Sequence, residues 1–225
     1  MKVDQKVLVA LKDGQQREYE GATTLAQIAA DIGPRLARDA VAAVVDGKTV
    51  DLARLACDVA DAQAVCRVEF VTLADRVGLE VMRHTCAHIL AQAVARLHPG
   101  AKFAIGPVID EGFYYDFADC SLTSDDFSAI EAEMQKIIDA DYPIVREVVD
   151  RAVASDRFAA KGDRFKVEIV RDLPQGETVT LYHQGEFTDL CRGPHLPSTG
   201  RVRAFKLLSL AGAYWRGDAS REQLT

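Results

Sequence analysis

Lys6-Val7-Leu8-Val9-Ala10-Leu11 is followed by Asp13-Gly14 and then by Gln16-Arg17-Glu18-Tyr19-Glu20. An aliphatic run, an Asp-Gly turn pair and a second extended run predict a β-hairpin. Working outward, Thr24 is placed to cap a short amphipathic helix with Leu25, Ile28 and Ala29 on its inner face, and Gly33-Pro34 is expected to stop it. A strand at Ala40 to Val45, a turn at Asp46-Gly47-Lys48 and a closing strand at Cys66 to Val71 complete a first unit over residues 1–72.

Strand, turn, strand, one helix and then more strands is β-grasp, ubiquitin-like order. From residue 73 the pattern changes. Asp75 to Leu97 is the longest helical stretch, stopped by His98-Pro99-Gly100. Phe103 to Phe117 alternates around Gly106-Pro107 and Glu111-Gly112, as strands joined by tight turns do. Ser124 or Asp125 is expected to cap a helix from Asp126 to Ala140, with Phe127, Ile130, Met134, Ile137 and Ile138 at helical spacing. A strand at Tyr142 to Val149, a helix through Phe158 and the run Phe165 to Val170 follow. Thr178 to Tyr182, Glu186 to Leu190 and Phe205 to Leu210 are strand candidates. The second unit, 73–225, is therefore read as α+β with a mostly antiparallel sheet and a long helix, and the chain as α+β overall.

Hydrophobic residues at 48% and charged residues at 27% exclude wholesale disorder. No apolar run approaches the roughly 20 residues that cross a bilayer, and Met1 to Val7 lacks the apolar core of a secretory signal. Five cysteines, an odd number without regular spacing, point to a reduced, cytoplasmic setting. A net charge of −7 argues against a general nucleic-acid coat protein. Arg201, Arg203 and Lys206 form one local basic patch, or equally the solvated side of a strand.

Chemistry concentrates in two short segments. His84 and His88, in Arg83-His84-Thr85-Cys86-Ala87-His88, stand at i and i+4 and share a helix face. Cys191 and His195 lie in Asp189-Leu190-Cys191-Arg192-Gly193-Pro194-His195, which Gly and Pro mark as a loop. These four side chains suit a tetrahedral zinc site, although structural zinc usually draws on more thiolates. The metalloprotease pattern fails, because Thr85 stands where Glu is required. A cysteine nucleophile activated by histidine is a further reading, and a satisfied helix histidine beside a small buried thiol is the bland one.

The combination resembles the N-terminal portion of bacterial threonyl-tRNA synthetases. It rests on His84-Thr85-Cys86-Ala87-His88, Gly112-Phe113-Tyr114-Tyr115-Asp116, Asp189-Leu190-Cys191-Arg192-Gly193-Pro194-His195 and Tyr214-Trp215-Arg216-Gly217-Asp218. Residues 1–72 look like the family's TGS domain and 73–225 like its editing domain. Alanyl-tRNA editing proteins are similar in both His and Cys pairs but lack the N-terminal TGS unit. The family's class II catalytic domain would be expected to begin where this sequence ends, so the resemblance implies a fragment or a stand-alone form that does not activate threonine. ATP, magnesium and zinc would belong to that further domain, as would the contacts of an expected homodimer.

The resemblance implies hydrolysis of the ester joining serine to tRNA(Thr), because a threonine pocket gains only about 1–3 kcal/mol against serine. His84, His88, Cys191 and His195 would line the pocket, and Lys166 and Asp189 would be its charged residues. His84 or Lys166 would handle the protons of water and leaving group, and Asp189 the substrate's ammonium. Tyr115 and Arg192 are expected to bind substrate. Tyr114, Tyr115, Arg192, Arg201, Arg203 and Lys206 are candidates for the tRNA acceptor end. The family implies no metal here, with zinc on the four ligands as the variant. A non-catalytic RNA-binding module is the alternative function.

Overall fold

The computed structural model describes residues 6–59 and 65–225; Met1 to Gln5, read above for a secretory signal, lie outside the described residues. The chain divides into two compact units, Met1–Met82 with Gly193–Pro197, and Arg83–Arg192 with Ser198–Thr225.

In the first unit β1 (Lys6–Leu11) and β2 (Gln16–Glu20) form the hairpin, followed by α1 (Leu25–Ile32), α2 (Pro34–Asp39), β3 (Ala40–Val45), β4 (Lys48–Val50), α3 (Ala56–Val59) and β5 (Cys66–Thr72). The sheet order is β2-β1-β5-β3-β4, with β1 parallel to β5 and the other pairs antiparallel. Thr24 starts α1 through a capping box: the Gln27 N–H donates to Thr24 Oγ1 at 3.2 Å, and the Thr24 N–H donates to Gln27 Oε1 at 2.8 Å. Leu25 and Ile28 enter one core with Val7, Val9, Ala43, Val45 and Val68. Each such aliphatic side chain stabilises by about 1.5–3 kcal/mol when taken from water.

Gly33-Pro34 ends α1 as expected, but it also begins α2, because a proline at the first helical position loses no hydrogen bond that the helix needs. The helix α4 (Arg76–Leu97) follows, with the side chain of Asp75 accepting from the Thr72 N–H at 2.8 Å ahead of it. It ends before His98-Pro99, since a residue preceding proline avoids the helical region.

In the second unit, short strands β6 (Lys102–Phe103), β7 (Val108–Ile109), β8 (Gly112–Phe113) and β9 (Phe117–Ala118) precede α5 (Phe127–Asp139). Then come β10 (Ile144–Val149), α6 (Arg151–Ala160), α7 (Arg164–Asp172), β11 (Val179–Gln184), β12 (Phe187–Leu190), β13 (Ala213–Tyr214) and β14 (Gln223–Leu224). The largest sheet is antiparallel β10-β11-β12, with β6-β9, β7-β8 and β13-β14 as small antiparallel pairs.

Two expectations are corrected here. The cap ahead of α5 is Thr123, which forms a capping box with Asp126 around a 3-10 turn, rather than Ser124 or Asp125. The strand expected at Phe205 to Leu210 does not form; the Leu207 N–H donates to Glu131 at 2.8 Å instead of to a neighbouring strand. That removes the strand reading of the basic patch as well. No helix among the described residues is long and apolar enough to cross a membrane.

Candidate active site in the second unit

α7 is amphipathic in three directions. Phe165 packs with Trp215, Ala104 and Leu224, while Val170 packs with Phe158, Val179 and Leu181 on the sheet side. Held on both flanks, the helix presents Lys166, Ile169 and Leu173 to a cavity of about 490 Å³. The spacing i, i+3, i+7 places these three on one face. Lys166 would be solvated if it were an ordinary surface lysine. It is buried instead, with only 4% of its side chain exposed.

The β11–β12 hairpin supplies its partner. Gln184 pairs with Phe187 across Gly185, whose φ of +54° suits a tight two-residue turn. That register sets Asp189 opposite Tyr182 and turns its carboxylate inward. Lys166 Nζ lies 2.5 Å from Asp189 Oδ1 and donates to the Tyr115 hydroxyl at 2.9 Å, while Tyr115 donates to Asp189 Oδ2 at 2.6 Å. Lysine, tyrosine and carboxylate therefore close a buried triangle. Asp189 Oδ1 also accepts the Leu190 N–H at 2.7 Å.

Burial alone would raise the Asp189 carboxyl, but the Lys166 ammonium, His88 and the bonds from Lys166 and Tyr115 hold it below the usual carboxylate range. Burial lifts the Tyr115 phenol well above its ordinary value, reinforced by the Asp189 charge. The phenol stays protonated and serves as donor and spacer. Gly106 lies over this ring: a Cβ there would stand 2.3 Å from Tyr115 Cδ2, so no larger residue fits without moving the tyrosine.

His84 and His88 project from α4 into the same region, their rings edge to face at 5.3 Å. His84 Nε2 lies 3.2 Å from Cys191 Sγ, and His88 Nε2 lies 3.6 Å from Asp189 Oδ2. Burial drives the His88 imidazole down to about 3, so it is neutral at pH 7. The unfolded chain takes up a proton on His88 below about pH 6.5, which the folded chain refuses until about pH 3. Stability therefore falls as pH drops through that window, by up to about 1.4 kcal/mol per pH unit from this group. Asp189, with its carboxyl depressed, acts in the same sense at lower pH. Urea midpoints at pH 7 and pH 5, followed by the fluorescence of the single tryptophan, Trp215, should separate clearly in the wild type and less in His88→Gln.

The second unit thus brings together His84, His88, Lys166, Asp189, Cys191 and Arg192, all on the cavity wall, with Tyr115 behind them. His195 lies in the Gly193–Pro197 segment that groups with the first unit, where it is buried and its N–H donates to Asp51 Oδ1 at 2.8 Å. The donor atoms of His84, His88 and Cys191 lie within 4.8 Å of one another and could hold a metal ion. Imidazole and thiolate are both ligand types that zinc takes, and three protein ligands is the number an open zinc site uses.

Three of the expected residues have partners inside this unit. Asp189, expected to meet a substrate's ammonium, meets the ammonium of Lys166 in this structure. Tyr115 is not an aromatic face for a base: its ring stacks on Phe117 at 5.1 Å inside the unit, and the exposed aromatic of the pair is Tyr114. Lys206 is paired with Glu131 at 2.7 Å, and both it and Arg203 are exposed. Glu177, which lines the cavity and holds Arg192, was not singled out from sequence; it sits in a Gly-containing turn with no motif around it.

Comparison with known proteins places these features in a class. Residues 7–55 match the TGS domain, and residues 179–225 match the threonyl and alanyl tRNA synthetase second additional domain. The chain thus carries a TGS domain and a synthetase second additional domain. Its relatives are threonine–tRNA ligases. That of Symbiobacterium thermophilum is 54% identical over 97% of this chain and 33% of its own length. Those of Acidiphilium cryptum and Halorhodospira halophila are 50% and 48% identical, each over 96% of this chain and 33% of their own length. The chain spans about a third of the length of the ligases it matches.

Proposed function

We propose that this chain is the editing region of a threonyl-tRNA synthetase and hydrolyses the ester of mischarged Ser-tRNA(Thr). The observation that carries the reading is the cavity wall: neutral His88, half-buried His84, the thiol of Cys191 and the Lys166–Asp189 pair converge on one space, in a chain similar to threonine–tRNA ligases. A cavity of about 490 Å³ falls in the range that takes a nucleoside ester.

In this reading water attacks the seryl carbonyl and His84 takes its proton, since an imidazole accepts near neutrality. Lys166 sets its positive charge toward the developing oxyanion and the departing ribose oxygen, and the oxygen leaves with the proton that His84 received. Asp189 and Tyr115 are positioning residues: they fix the Lys166 ammonium and keep it from turning away. Cys191 orients His84 rather than attacking the ester. The partner is the tRNA(Thr) acceptor end in a cytoplasmic setting, and charging of threonine with ATP belongs to the other parts of such ligases.

Hydrolysis needs no metal in this account. If zinc does bind, His84, His88 and Cys191 would hold it, and it would supply Lewis-acid activation of the ester carbonyl. The test is single-turnover release of serine from Ser-tRNA(Thr) by the chain before and after treatment with a chelator. Equal rates are expected; loss of activity that zinc restores would reassign the three residues as metal ligands.

A further inference from the structure

The cavity wall carries two cations, Lys166 and Arg192. Lys166 is enclosed by Asp189 and Tyr115. Arg192 is the opposite case, with 77% of its side chain exposed at the rim. Its Nε and Nη2 both donate to the same oxygen, Glu177 Oε1, at 2.9 and 2.5 Å. A guanidinium edge matches two acceptor oxygens side by side, and here one oxygen meets it. Among the described residues Glu177 Oε2 accepts no hydrogen bond.

Glu177 is presented by an anchored turn. Its N–H donates to Pro174 O at 3.2 Å, Arg151 donates to the same carbonyl at 2.6 Å, and Gly176 takes a φ of +81°. Leu173, directly after α7 and just before this turn, lines the cavity with Lys166. A terminal nucleoside whose ester lies at Lys166 would carry its preceding phosphate toward the rim of the same cavity, where Arg192 and Glu177 stand.

We propose that Arg192 binds that phosphate and that Glu177 is its resident competitor, which the RNA displaces. This rests on the reading of mischarged tRNA as substrate. Only the Arg192 side of the pair is exposed, Glu177 keeping 24% of its side chain in solvent; an ion pair at a wet rim is weak, whereas a phosphate offers two oxygens and a fuller charge. Glu177 holds the guanidinium at the rim between turnovers. It also rejects anions that cannot satisfy both donors.

The experiment is equilibrium binding of the full 225-residue chain to an acceptor-stem minihelix carrying serine through a non-hydrolysable 3′-amide, over a series of salt concentrations. Arg192→Gln should weaken binding and reduce the salt slope by about 1. Glu177→Gln should tighten binding by about two- to fivefold. In the Arg192→Gln background the Glu177 change should do nothing, since its effect runs through the guanidinium. The proposal is overturned if Glu177→Gln leaves binding unchanged, if it acts equally without Arg192, or if the wild type does not bind the minihelix. Failure of the hydrolysis reading is a separate result: Ser-tRNA(Thr) stays intact with the wild type while these binding differences persist.

Discussion

Asp189→Ala should destabilise the second unit by about 3–5 kcal/mol, among the largest effects of any single substitution here. The substitution leaves the Lys166 ammonium buried beside the Tyr115 phenol and near His88, without the carboxylate that pairs with it. The cost arises from the stranded charge more than from the lost contact. Replacing both partners should therefore recover much of it: Lys166→Met with Asp189→Leu keeps volume, removes both charges and should be clearly more stable than Asp189→Ala. Trp215 is the only tryptophan, is buried, and lies in this unit, so its fluorescence during urea unfolding reads the right transition. A double variant no more stable than the single one would show that the triangle is held by more than its charges.

Lys166→Ala and His84→Ala should each lower the rate of serine release by about 10²–10⁴, the range for removing a positioned acid, base or charge stabiliser. The two losses should differ in kind. Lys166→Ala also strands the Asp189 carboxylate and destabilises the unit, whereas His84 is half-buried and its loss should leave the urea midpoint within about 1 kcal/mol of wild type. Single-turnover rates with saturating protein separate chemistry from binding. Wild-type rates in both variants would remove these residues from the mechanism.

Local signals carried much of the fold. The Thr24 cap, the Asp13-Gly14 hairpin, the strand at Ala40 to Val45 and the stop at His98-Pro99 each depend on residues within a few positions of one another. The shared face of His84 and His88 follows from helical spacing in the same way. Long-range pairing was not legible. Nothing near Lys166 announces that Asp189 and Tyr115, distant along the chain, will enclose it, and a lysine in a mixed helix reads as solvated. The Phe205 to Leu210 run has strand composition but finds Glu131 in place of a strand partner. Pro34 punctuates in both directions, ending one helix and starting another.

A second sieve accepts serine and refuses threonine, and its measure is the ratio of first-order deacylation rates for Ser-tRNA(Thr) and Thr-tRNA(Thr) with this chain under single-turnover conditions. Rapid loss of serine with threonine retained is expected, a ratio of at least about 10–200, the span one methyl group commands in a close-fitting pocket. Equal rates for the two esters, or no hydrolysis of either, would contradict it.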